Sequence, residues 1–246
     1  MRRNVVCGIV LAALLMTAGK VGASGLQVAP IGLEFTPSSS AQGLWLTNTG
    51  DRELRAQVRV FHWTQAGGKD ELAASQGLVA SPPMLELAPG ARQLVRIIRT
   101  GGAPSGADED AFRVLVDELP QAAQAQSSGL QYVLRYSIPV FVSGAPVPDA
   151  DVAAALQWSL ERDGDGAALV ARNSGARHVQ ISDLELRSGN GDALESRSGL
   201  YGYVLPGITM RWPLTAKPDR LGGPFAIKAK VNGKAIDQAL AVGLPR

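Results

Sequence analysis

The chain has 246 residues, 46% of them hydrophobic, with 24 Lys+Arg against 22 Asp+Glu and a single cysteine, Cys7. One cysteine excludes a disulfide framework within the chain. A formal charge of +2 leaves no basic field to attract nucleic acid or an anionic membrane.

The first segment, MRRNVVCGIVLAALLMTAGKVGASG, places Arg2 and Arg3 before an apolar run from Val5 to Ala18 that is too short to span a bilayer. Val21, Gly22 and Ala23 supply small residues at the cleavage positions. This pattern predicts a secretory signal peptide over residues 1–23, cut after Ala23. Loss of Arg2, Arg3 and Lys20 with the leader leaves 21 Lys+Arg against 22 Asp+Glu, a charge of −1. Cys7 lies in the leader outside any lipobox-like context, so the mature protein has no thiol and is stabilised by core burial alone.

Beyond residue 24 the hydrophobic pattern has a period of two, the signature of strands with one buried face. Strands are expected near 26–35, 42–48, 54–63, 84–87, 91–98, 111–119 and 130–142, with turn residues at 49–51, 66–68, 88–90 and 101–102. Seven short strands in this span predict an immunoglobulin-like sandwich. QAAQAQSSG (121–129) reads as a polar loop leading into the last of them, LQYVLRYSIPVFV (130–142), which has apolar or aromatic residues at every even position. That strand also contains Pro139, which is confined to an edge or a bulge. GAPVPDA (144–150) reads as a semi-rigid linker. Strands then recur near 153–161, 166–172, 177–187, 200–205, 208–214, 225–231 and 235–242, with hairpin turns at 163–166 and Asn190-Gly191. The domain plan is therefore 1–23 signal peptide, 24–143 N-terminal sandwich, 144–150 linker and 151–246 C-terminal sandwich.

Catalytic chemistry finds little support. His62 and His178 fall in different domains and outside any metal-ligand spacing, so both read as structural or surface histidines. Asp163 and Asp165 lack the later ligands of a calcium loop and read as a turn. There is no G-x-S-x-G elbow, no phosphate loop and no G-x-G-x-x-G following a strand, so neither an enzyme nor a nucleotide cofactor is expected.

Several segments in order resemble the PapD-like periplasmic chaperones of chaperone–usher pili: SPPMLELAPGARQLVRI (81–97), AFRVLVDELP (111–120), LQYVLRYSIPVFV, and, more loosely, LVARNSGARHVQISDL (169–184). The wording Ser-Ile-Pro-Val-Phe resembles the branch that serves spore-coat-U-type, Csu-like archaic pili. The resemblance implies an all-β protein of two immunoglobulin-like domains in an L-shaped, boomerang arrangement, resident in the periplasm of a Gram-negative bacterium. Its partners would be pilus subunits and an outer-membrane usher, with no cofactor, no nucleic acid and no membrane insertion after cleavage. It also implies donor-strand complementation, in which the strand at 130–142 is lent to an incomplete subunit fold. The donor residues are then Leu130, Tyr132, Leu134 and Tyr136, with Ile138 to Val142 kept for the chaperone's own sandwich.

The resemblance further implies a basic anchor for the subunit's C-terminal carboxylate, but its two positions are occupied here by Gly32 and Pro139, which carry no charge. Arg135 is a weak substitute because it lies on the face opposite Leu134. An interdomain ion pair is implied as well, with Arg96 and Glu109 as its candidates; the alternative reading of Arg96, which alternates within a strand, is a simple surface charge. A rival reading is a two-domain secreted adhesin or carbohydrate-binding protein. It requires a platform of exposed aromatics, for which Trp45, Trp63, Trp158 and Trp212 are the candidates.

Overall fold

A computed structural model describes residues 25–102, 104, 108–120, 133–145, 155–163, 166–214 and 224–240. The expected signal peptide, the linker from 146 onward, and Leu130 and Tyr132 lie outside the described residues. Those described contain seventeen β-strands and no helix.

The first half forms two facing sheets. One has the order β1 (Leu26–Ala29), β3 (Ala41–Asn48), β8 (Arg92–Arg99), β6 (Leu78–Ser81). The other has the order β2 (Leu33–Phe35), β10 (Arg135–Ser143), β9 (Glu109–Leu119), β4 (Leu54–Ala66), β5 (Lys69–Ala74), with β7 (Met84–Leu87) also on β4. Alternate residues point inward from both sheets, so Leu44, Leu46, Val95, Ile97, Val114 and Val116 are sealed between them. The single strand expected over 26–35 is two. The segment Pro30-Ile31-Gly32 interrupts the pairing, carrying the chain from β1 in one sheet to β2 in the other.

β5 and β6 have no counterpart among the expected strands. All six residues of β5 are exposed, so its sequence KDELAA carries no alternation to read. It exists because Gly67 and Gly68 both adopt positive φ, 58° and 75°, and turn β4 back on itself in a tight hairpin.

The second half repeats the design. One sheet has the order β11 (Leu156–Asp163), β12 (Gly166–Asn173), β15 (Thr209–Pro213). Its partner has the order β14 (Ala193–Val204), β13 (Val179–Ser188), β16 (Phe225–Val231), β17 (Lys234–Leu240). Leu160, Leu169, Ile181, Leu186, Val204 and Ile227 form its core. Both halves use one turn device. Asn48 and Asn173 are buried, their amide groups donate to backbone carbonyls, and their Oδ1 atoms accept from Gly50 N and Gly175 N.

A third, smaller cluster joins the halves: Trp63, Ala111 and Phe141 from the first against Tyr203 and Leu205 from the second. Buried Gln65 crosses this seam. Its Nε2 donates to Tyr203 O at 3.0 Å, and its Oε1 accepts from Leu205 N at 2.9 Å.

Candidate functional site

β10 pairs antiparallel with β9 along its whole length, from Arg135 opposite Asp117 to Ser143 opposite Glu109. On its other side β2 covers only Val140–Val142. The outer edge from Arg135 to Pro139 therefore has no strand neighbour among the described residues. Glu118 N donates to Leu134 O at 3.0 Å, so even-numbered residues occupy the hydrogen-bonded pairs with β9. The backbone N–H and C=O groups of Arg135 and Ser137 consequently point outward along the free edge. Pro139 is odd as well, so its missing N–H removes nothing from the β9 ladder and sits where β2 begins to cover the strand.

The even side chains form one face that runs from the protein's own core to the free edge. Val142, Val140 and Ile138 are buried, whereas Tyr136 and Leu134 are half-buried against the same cluster. The Tyr136 hydroxyl donates to Leu26 O on β1, bridging the two sheets at their open side. Tyr136 is thus engaged by the protein's own sandwich, and Leu134 is the last described residue of this face.

The odd face carries charge. Asp117 on β9 accepts from Arg59 Nη2 at 2.7 Å through Oδ2 and from Arg135 Nε through Oδ1. Burial alone raises the carboxyl's pKa, but the hydrogen bonds from the two guanidinium groups outweigh it and hold Asp117 below the usual carboxylate range. Arg135 is therefore spent on Asp117 and faces away from Leu134.

Between the halves lies a cleft of about 880 Å³, with Gly32 and Pro139 together on one wall. A Cβ placed on Gly32 would stand 3.9 Å from the Pro139 ring, so the two anchor positions are adjacent in space and both uncharged. Arg113, directly opposite Pro139 on β9, also lines this cleft. Its side chain is only 12% exposed. The guanidinium lies 3.7 Å above the Trp63 ring and 5.2 Å from that of Tyr203, with Asp70 at 3.9 Å. Burial lowers its pKa, and Asp70 and Tyr203 offset part of that; an arginine nonetheless keeps its charge.

The interdomain ion pair differs from expectation. Glu109 is the carboxylate, but its partners are Arg177 and His178 of the second half. The fully buried Glu109 side chain accepts from Arg177 Nε at 3.3 Å and from His178 N at 3.1 Å, and it contacts His178 Nδ1 at 2.6 Å. Arg96 lies exposed in the middle of β8, flanked by Gly43 and Ser81 of its own sheet, whereas Glu109 is on β9 in the facing sheet. Alternation along β8 sends Arg96 to solvent while Val95 and Ile97 face the core. His178, read as structural, has that role at the seam, stacked on Phe141 with ring centroids 3.4 Å apart.

The tryptophans form no common platform. Trp63 is buried at the seam, and Trp158 and Trp212 pack against the second core. Trp45 is partly exposed but lies beneath the Arg92 guanidinium at 4.1 Å. No group of three or more His, Cys, Asp or Glu able to hold a metal occurs among the described residues. Sequence reasoning passed over Arg113 and Arg177. Arg113 had a signal in retrospect, as a cation at an inner strand position of AFRVLVDELP. Arg177 had none, because its role depends on how the two halves meet.

Fold and site together define a two-domain, all-β protein with a hydrophobic strand that, among the described residues, is unpaired along half of its outer edge. The chain belongs to the pili and flagellar-assembly chaperones, matching the PapD N-terminal domain over residues 25–147. No curated protein matches it in sequence. Among solved structures it is similar to a chain of the CsuC–CsuE chaperone–tip adhesion subunit pre-assembly complex from the archaic chaperone-usher Csu pili of Acinetobacter baumannii. That match has 23% identity and a TM-score of 0.68, covering 91% of this chain and 100% of the other. The E. coli chaperone DraB matches at 21% identity and TM-score 0.59, covering 89% and 96%. The Pseudomonas aeruginosa CupB2 chaperone matches at 16% identity and TM-score 0.60, covering 88% and 100%.

Proposed function

We propose that this protein is a periplasmic chaperone that captures pilus subunits by lending them the strand at 130–142. It holds the subunit until an outer-membrane usher takes it over. The observation that carries this reading is the outer edge of β10 from Arg135 to Pro139, free among the described residues and joined to a hydrophobic face that runs from Val142 to Leu134. An incoming subunit strand pairs with the outward N–H and C=O groups of Arg135 and Ser137. The even side chains Leu134, Tyr132 and Leu130 then fill the subunit's open groove, each contributing about 1.5–3 kcal/mol if fully buried. The chaperone needs no cofactor, since backbone pairing and apolar burial supply the binding energy. In the adjoining cleft Arg113 provides a cation for an acidic group of the subunit, in place of the basic residues absent at Gly32 and Pro139. The leader over 1–23 routes the chain to the periplasm.

The test replaces Tyr132 and Leu134 together by Asp and co-expresses the variant with pilus subunits of the same genome. Both charges fall on the donor face, and burying either without a partner is prohibitive. Subunit recovery from the periplasm is expected to collapse while the chaperone itself accumulates normally. Undiminished recovery refutes the reading.

A further inference from the structure

A strand kept ready for lending faces a register problem. Side chains alternate with a period of two, so a slip of one residue turns the whole donor face outward. A slip of two keeps the face but displaces every side chain by one subunit pocket. β2 cannot prevent either at the free end, because it pairs only with Val140–Val142.

The structure places an ion cluster at that end. Arg135, the first residue of β10, stands directly opposite Asp117, and Arg59 reaches the same carboxylate from β4 on the far side of β9. All three side chains lie on the odd face, away from Leu134 and Tyr136. The Asp117 side chain is 10% exposed and both of its oxygens are engaged. After a two-residue slip Arg135 would face Leu115 or Leu119, and Asp117 would face Val133 or Ser137. Neither arrangement returns Arg135 to the carboxylate, so the nearly buried Asp117 keeps Arg59 but loses its second cation.

We infer that the Arg59–Asp117–Arg135 cluster is a register lock: it fixes the free half of β10 on β9 so that the donor face meets a subunit in one alignment. The lock rests on the strand-lending function proposed above. Its residues are positioning residues, since none of them lies on the face offered to the subunit. Fixing the strand beforehand removes an ordering cost from the binding step.

Hydrogen exchange on the free, full mature chaperone tests the lock without a subunit. Arg135 is 65% exposed, so Arg135→Gln is expected to fold normally. It should speed exchange of the Tyr136 and Ile138 amides, the ones within 134–138 that bond to β9, roughly three- to five-fold while leaving β16 in the second domain unchanged. Arg135→Lys should restore most of the protection, and Asp117→Asn should lose at least as much as Arg135→Gln. Subunit recovery on co-expression should fall with Arg135→Gln and return with Arg135→Lys. Unchanged exchange at 134–138, or a rise spread equally over both domains, overturns the lock. So does full recovery with Arg135→Gln under conditions where Tyr132→Asp/Leu134→Asp abolishes it. If the wild-type chaperone recovers no subunit at all, strand lending fails, whereas the exchange pattern still reports separately on whether the cluster holds the strand.

Discussion

Replacing Glu109 by Gln is expected to uncouple the two domains. The carboxylate offers two acceptor oxygens in a site with no exposure, and it meets donors from Arg177 Nε at 3.3 Å and His178 N at 3.1 Å, besides the ring contact at 2.6 Å. A glutamine of nearly the same shape keeps one acceptor but turns an NH2 group toward the other side. Either the arginine or the histidine group must then face a donor. One charge-assisted hydrogen bond is lost, worth about 1.5–3 kcal/mol, and a buried donor is left unsatisfied, at about 1–3 kcal/mol. Partial relaxation of Arg177, whose side chain is 20% exposed, recovers some of this. A net loss of about 2–4 kcal/mol follows. Urea unfolding read by far-UV circular dichroism and by tryptophan fluorescence checks it, because Trp63 sits at the seam beside Tyr203. The wild type should unfold with the two signals together, and Glu109→Gln should separate them, with the fluorescence change coming first. A destabilisation below about 0.5 kcal/mol with coincident curves would refute this account of the seam.

Three other outcomes are expected. Asp117 has its pKa lowered in the folded state, so the stability it contributes is fully present above the unfolded carboxylate pKa of about 3.9 and is lost as pH falls through the lower folded value. The stability gap between wild type and Asp117→Asn should be constant above about pH 5.5 and shrink below pH 4, in denaturation curves taken from pH 2.5 to 7. Tyr136→Phe removes the hydroxyl donated to Leu26 O and should cost about 1 kcal/mol by urea unfolding, while leaving subunit recovery near wild type. Arg113→Ala should cut subunit recovery about ten-fold and shift the tryptophan emission, because the guanidinium covers Trp63 at 3.7 Å, whereas Arg113→Lys keeps the charge and most of the recovery.

The strands that carry the fold were legible because burial imposes a period of two. LRAQVRVFHW, AFRVLVDELP and SIPVFV each seat alternate residues in a core, and the structure finds β4, β9 and β10 there. β5 escaped for the opposite reason, since no residue of it is buried and only its glycine hairpin places it. The strand expected over 130–142 was legible as a hydrophobic face, with Ile138 to Val142 expected in the protein's own sandwich, where they are buried; that Tyr136 joins them was not legible. That Tyr136 is held by Leu26 depends on β1 and β10 meeting at the open side of the sandwich, 110 residues apart along the chain.

Ion pairing divides in the same way. The family resemblance, not a motif around it, offered Glu109 as the carboxylate of an interdomain pair, with Arg96 as its candidate partner. Its partner could not be read, since Arg96, Arg177 and every other arginine look alike in a linear pattern. The sequence by itself determined the class of fold, the strand with an unbroken hydrophobic face, and the lack of charge at positions 32 and 139. Only the tertiary structure decided which groups face which carboxylates: Arg177 and His178 on Glu109, Arg59 and Arg135 on Asp117, and Arg113 toward the cleft. Alternation along a strand is local and is enforced residue by residue through burial, whereas charge partners are chosen by how strands and domains are set against one another across long stretches of chain.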